Sequence, residues 1–176
     1  KRDTGFTSGP CLITFGAELF SFRNLSLPFS DKKKISQVLP FELAELSPID
    51  ISGQLVDFLV AKSEPQETEI VAAMLSREYL GEHLRQLQAG GIDPDTIGIS
   101  GLSTAVKIAS DEPQNFLLID FGSNWATLFV VIDQKICLIR SLACTSDNFG
   151  QANIDSTFIL HAQQTMLASQ LLDLRR

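Results

Sequence analysis

The sequence is short of the residues that build several common kinds of site. It has two histidines, His83 and His161, and three cysteines, Cys11, Cys137 and Cys144, in 176 residues. None of them shows the close spacing of metal ligands. Both histidines fall on predicted helices with no partner motif nearby, so a zinc site or a histidine-based triad has little support. Three cysteines cannot all pair, and two lie in apolar surroundings. Buried free thiols in a reducing compartment fit better than a disulfide framework. Basic residues are also few: 14 Lys and Arg stand against 21 Asp and Glu, a net charge of −7. That argues against a nucleic-acid partner, whose binding depends on Lys and Arg. The one basic run, Lys32-Lys33-Lys34, reads as a solvated first helical turn. No apolar run approaches the length of a membrane-spanning helix, and no signal peptide is visible. The chain begins at Lys1 without Met and stops inside a helical pattern, which reads as a piece of a longer protein.

What is present is enough apolar material for a core: 44% of residues are hydrophobic, which argues against disorder. The richest stretch is Phe116–Arg140. Three short apolar runs, heavy in Ile, Val and Phe, suit buried strands better than helices. Two breaks separate them. The first, Asp120-Phe121-Gly122-Ser123-Asn124, puts a carboxylate at a strand end, followed by glycine, which tolerates positive φ. The second, Asp133-Gln134-Lys135, has hairpin length. The expected order is strand, polar turn, strand, hairpin, strand. The first turn is the main chemical candidate. Its carboxylate suits a hard cation and its amides suit an anion, so it could hold a magnesium-bound phosphate. The same residues also simply make a good turn.

Upstream, Cys11–Gly16 and Leu19–Leu25 read as two strands forming a hairpin around Gly16-Ala17-Glu18. Ser30 or Asp31 can cap a helix through Leu39, which Pro40 breaks before a further helical piece, Phe41–Leu46. Strands are expected over 54–61, 68–75 and 96–99, sharing one small sheet. Ser76 caps a helix carrying Leu80, Leu84 and Leu87 toward that sheet, and Gly90-Gly91 stops it. Gly101–Ala109 reads as a short helix, Ser110–Gln114 as a linker, Ser141–Asn153 as a loop. A last helix is expected from Asp155 or Ser156 through Leu172. These elements make an α/β fold in three parts: residues 1–29, an inserted α+β subdomain over 30–110, and a further lobe beginning over 115–176.

Four pieces in this order carry a family resemblance. They are Phe22-Arg23-Asn24-Leu25-Ser26-Leu27-Pro28, Val38-Leu39-Pro40-Phe41-Glu42-Leu43, Leu87-Gln88-Ala89-Gly90-Gly91-Ile92-Asp93-Pro94 and Leu118-Ile119-Asp120-Phe121-Gly122. Over residues 20–140 the chain resembles the PilM/GspL type of actin-like ATPase fold, the branch with an inserted small subdomain. The last piece is similar to that fold's second phosphate loop. The resemblance implies a partial actin-like (ribonuclease H-like) fold. It implies a scaffold of a bacterial type IV pilus or type II secretion assembly platform, cytoplasmic, at the inner-membrane face. The implied partners are a membrane-anchored pilus or secretion assembly protein and a secretion ATPase, with a homodimer left open and no nucleic acid. Residues 30–109 are the expected contact region.

The resemblance also carries an alternative, an ATPase or sugar-kinase-like phosphotransferase. Asp120, Gly122, Ser123, Asn124 and Thr127 would then hold ATP and magnesium in the full-length protein. Two departures favour the non-catalytic reading. No first phosphate loop is found upstream of Cys11. Four residues after Gly122, where nucleotide-binding members carry Thr, stands Ala126, with Thr127 one later and Trp125 before it. No catalytic residue, resident cofactor or metal is therefore expected in this chain. Glu42 and Glu45, and the charges Arg77, Glu78, Glu82 and Arg85, read as solvated helix faces. Trp125 and Tyr79 read as core or rim packing.

Overall fold

The structure, a computed structural model, describes residues 9–46, 50–111 and 114–143. Among the described residues eight strands and three α-helices follow in the order β1 (Leu12–Phe15), β2 (Ser21–Leu27), α1 (Lys32–Leu46), β3 (Gln54–Glu64), β4 (Glu67–Ser76), α2 (Arg77–Ala89), β5 (Thr96–Ile99), α3 (Leu102–Asp111), β6 (Phe116–Phe121), β7 (Trp125–Ile132) and β8 (Lys135–Ala143). The expected C-terminal helix, His161 and Cys144 lie outside the described residues.

The strands form three sheets: a parallel pair β1-β5, an antiparallel β2-β4-β3 and an antiparallel β6-β7-β8. Two sequence expectations are corrected here. β1 and β2 do not pair as a hairpin. A 3-10 turn at Ala17–Leu19 joins them, with Ala17 fully buried, and each strand finds another partner. β2 runs antiparallel to β4 from Ser21↔Met74 to Leu27↔Thr68, a longer ladder than four-residue β1 could offer. β1 lies parallel to β5, from Leu12↔Thr96 to Phe15↔Ile99. This also removes β5 from the sheet of β3 and β4, where it was expected.

Helix α1 is one helix, not two pieces. Asp31 caps it, its Oδ1 accepting from the amides of Lys33 and Lys34 at 2.8 and 3.1 Å. Pro40 cannot donate to the ladder and removes one bond from it. Burial overrides that cost: Leu39 and Leu43, on either side of the proline, are buried with Ile35 against Ile70, Ala72 and Met74 of β4. Alternation along β4 turns Val71 to the other face. There Val71 and Ala61 share a core with Ala105 and Ala109 of α3 and with Phe129, Val131 and Ile139 of β7 and β8. The sheet β2-β4-β3 is thus covered on both faces. Asn24 ties the layers together, donating from Nδ2 to the carbonyl of Cys137 at 2.6 Å.

Helix α2 matches its expected span. Ser76 caps it, the hydroxyl accepting from Tyr79 N–H at 3.3 Å. It ends in a Schellman arrangement: Ile92 N–H bonds Leu87 C=O, Gly91 N–H bonds Gln88 C=O, and Gly91 takes φ +80°. Of the expected buried stripe only Leu80 is fully buried, and Leu84 and Leu87 are half-buried. Tyr79 and His83, on the same helix, cluster with Phe15 of β1. His83 Nδ1 lies 2.9 Å from the Tyr79 carbonyl, which can only accept, so Nδ1 carries the proton.

The β6-β7-β8 meander forms as its pattern implies. Asp133 (φ 49°) and Gln134 (φ 62°) make the tight β7–β8 turn. β8 runs on through Ser141–Ala143, expected as loop, because β7 offers Trp125–Thr127 as ladder partners.

Candidate functional site

The polar turn expected from the sequence sits between β6 and β7. Asp120 stands opposite Thr127, and Phe121 opposite Ala126. Gly122 N–H closes the turn on the Trp125 carbonyl at 2.8 Å. Gly122 does not use a left-handed conformation, which its sequence context allowed; a close approach of backbone favours glycine instead. A Cβ there would sit 3.2 Å from the Trp125 oxygen. Ser123, Asn124 and Trp125 are exposed, with Trp125 at the rim.

Directly opposite residues of an antiparallel pair point to the same face. Asp120 and Thr127 are therefore neighbours, and the next partner of Thr127 across the sheet is Ser141. Three oxygen-bearing side chains form a row across β6, β7 and β8. Thr127 is 6% exposed. The Ser141 hydroxyl is buried and has no hydrogen-bond partner among the described residues. Ala126 lies on the opposite face. The hydroxyl that seemed displaced by one residue in the sequence is the one that this register places beside Asp120. Ser141 was missed because its segment reads as polar loop; only the pairing with β7 brings it in.

The Asp120 carboxylate rests against the residue that precedes α3. Gly101 has φ +78°, and a Cβ on it would lie 2.6 Å from Asp120 Oδ2 and 2.8 Å from Phe129 Cε2. The contact puts a negative charge at the amino end of α3, where the helix dipole favours it. The carboxylate makes no hydrogen bond or ion pair with a described residue. Among the described residues no three of His, Cys, Asp and Glu come together as metal ligands.

A second feature is apolar. A pocket of about 370 Å³ lies between the β3–β4 face, α2, β5 and α3. Leu55 and Leu59 of β3, Leu75 of β4, Leu80 of α2, Ile97 of β5 and Leu102 of α3 line it, and Asp57 is its one charged lining residue. Of these the sequence singled out Leu80 alone. The pocket arises from strand partners far apart in the chain, which side-chain periodicity does not encode.

No protein-family model matches the sequence, and no curated protein matches it. Solved structures do. The chain is similar to one of a PilM–PilN type IV pilus biogenesis complex, with a TM-score of 0.67 and 19% identity, over 79% of this chain and 44% of that one. It is similar to the cytoplasmic domain of EpsL, an inner-membrane component of the type II secretion system of Vibrio cholerae, with a TM-score of 0.52 and 14% identity, over 82% and 54%. A Bacteroides thetaiotaomicron protein of unknown function with an actin-like ATPase fold matches with a TM-score of 0.52 and 6% identity, over 92% and 56%. The chain thus spans about half the length of the structures it matches. The likeness establishes the fold: a mixed α/β chain that forms part of an actin-like fold, as the four sequence pieces implied.

Proposed function

We propose that this chain is the partner-binding part of a non-catalytic, actin-like assembly protein of a type IV pilus or type II secretion machine. It would act at the cytoplasmic face of the inner membrane, holding a short segment of a membrane-anchored partner. The observation that carries this is the apolar pocket between β3–β4 and α2, β5 and α3. Its volume of about 370 Å³ and its largely apolar lining suit a few side chains of a peptide. The PilM–PilN complex among the similar structures supports the same reading. Among the described residues no helix is long and apolar enough to cross a membrane.

The test is titration of the chain with a synthetic peptide covering the cytoplasmic tail of a PilN-type membrane-anchored protein. Binding should weaken by about tenfold or more in Leu59→Ser and Ile97→Ser, each checked for folding by circular dichroism. Binding unaffected by both substitutions would place the partner elsewhere and sink the pocket assignment.

The rival reading, a nucleotide-dependent phosphotransferase, has one observation in its favour. The row Asp120–Thr127–Ser141 offers a carboxylate and two hydroxyls on one face. Asp120 would hold magnesium there; of the turn amides, Ser123 would face phosphate, because the Gly122 N–H is taken by the Trp125 carbonyl. A magnesium–ATP titration separates the two readings.

A further inference from the structure

A different cavity, about 450 Å³, opens where the start of α1, strand β3 and the β7–β8 hairpin meet. β3 is irregular at this point. Val60 pairs with Ile70 and Lys62 with Glu69, so Ala61 is left out of the register as a bulge. Three lysines line the cavity, Lys32, Lys62 and Lys135, against one acidic residue, Asp133. That is an unusual local balance in a chain of net charge −7. Lys62 is held by Glu64 at 2.5 Å. Lys32 and Lys135 have no carboxylate partner among the described residues. The amides at the start of α1 are already taken by Asp31. What the cavity offers is side chains, not a helix end.

The decisive residue is Thr68 on β4, which lines the same cavity. It is 1% exposed, and its hydroxyl has no hydrogen-bond partner among the described residues. A buried hydroxyl left unpaired costs stability, so such a group calls for an occupant that it can bond. Ammonium groups can only donate, and the hydroxyls of Ser30, Ser63 and Thr68 can donate as well. A set so rich in donors matches a group with several strong acceptor oxygens and a double negative charge.

We propose that this cavity binds the phosphate group of a small soluble phosphomonoester, with Lys32, Lys135 and Thr68 as its ligands. The site is separate from the Asp120 turn and from the apolar pocket. Its volume falls within the range of small-molecule pockets, so it admits more than the phosphate itself.

The test is isothermal titration and thermal melting of the 176-residue chain with inorganic phosphate and glycerol 3-phosphate, at constant ionic strength against chloride. A saturable rise in melting temperature is expected with both phosphates and not with chloride. Thr68→Val should raise the melting temperature of the free protein, since it removes an unpaired hydroxyl, yet weaken phosphate binding about tenfold. The double variant K32Q/K135Q should weaken it at least as much, while Asp120→Ala and Leu59→Ser leave it unchanged. A flat titration would overturn the proposal. So would a response that survives both T68V and K32Q/K135Q, or binding only to vesicles that contain phosphatidic acid.

Discussion

Gly101 and Asp120 fit together with no room for a methyl group between them: a Cβ on Gly101 would come within 2.6 Å of Asp120 Oδ2. The glycine is doubly specified, because it also takes φ +78°. Replacement by alanine therefore meets both a clash and an unfavourable backbone. Gly101→Ala should destabilise the chain by roughly 1–3 kcal/mol. Urea denaturation of G101A, D120A and the double variant gives the coupling. Part of the loss should be recovered in the double variant, because D120A removes the carboxylate but not the backbone strain. Full additivity would show that the two residues do not touch.

The end of α2 gives a sharper contrast between neighbours. Gly91 sits at φ +80° in open space, whereas Gly90 has φ −82°. Gly91→Ala should cost about 1 kcal/mol from backbone conformation alone. The cost of Gly90→Ala should be smaller and come from its close Leu87 carbonyl, 3.2 Å from the added Cβ. Equal melting temperatures for G90A and G91A would contradict the Schellman assignment.

Leu80 and Leu84 lie one turn apart on α2, but only Leu80, 7% exposed, is buried. Leu80→Ala should cost about 2–5 kcal/mol, as truncations in packed sites do. Leu84→Ala should cost roughly half that or less, because part of its surface already faces water. Chemical denaturation of the two variants is the check; the opposite order would mean that α2 is rotated about its axis.

Magnesium–ATP should bind this chain no more tightly than roughly millimolar, about −4 kcal/mol. The turn after β6 offers a few amides and one carboxylate, all of which water can satisfy. In an actin-like fold two such loops grip a triphosphate from opposite sides. Isothermal titration decides. Micromolar binding that vanishes in Asp120→Ala would put the phosphotransferase reading ahead of the scaffold.

Local signals were legible wherever neighbours in sequence are neighbours in space. The Ser76 cap, the Gly90-Gly91 stop and the β6-β7-β8 meander all follow from side chains within a few residues of one another. Long-range pairing was not legible. Alternation along β1 and β2 shows which face each strand buries, but it names no partner, and the hairpin inferred for them does not form. Pro40 misled in a similar way. Its local cost is real, yet Leu39 and Leu43 anchor the helix through it. At the turn the sequence identified Asp120 and Gly122 together. The placement of Thr127 beside Asp120 and of Ser141 beside Thr127 depended on register, which a count from Gly122 could not supply.

The order β2-β4-β3 leaves β3 as an outer strand, eleven residues long. A long, regular, apolar outer strand would invite another chain to zip onto it. Here the bulge at Ala61 interrupts the run of backbone groups, and Asp57, Lys62 and Glu64 put charge along it. Each of these would have to be dehydrated or left unmatched in an added strand. The irregularity that opens a cavity beside β3 also protects the chain from aggregating edge to edge, so straightening it by deleting Ala61 would trade solubility for a more regular sheet.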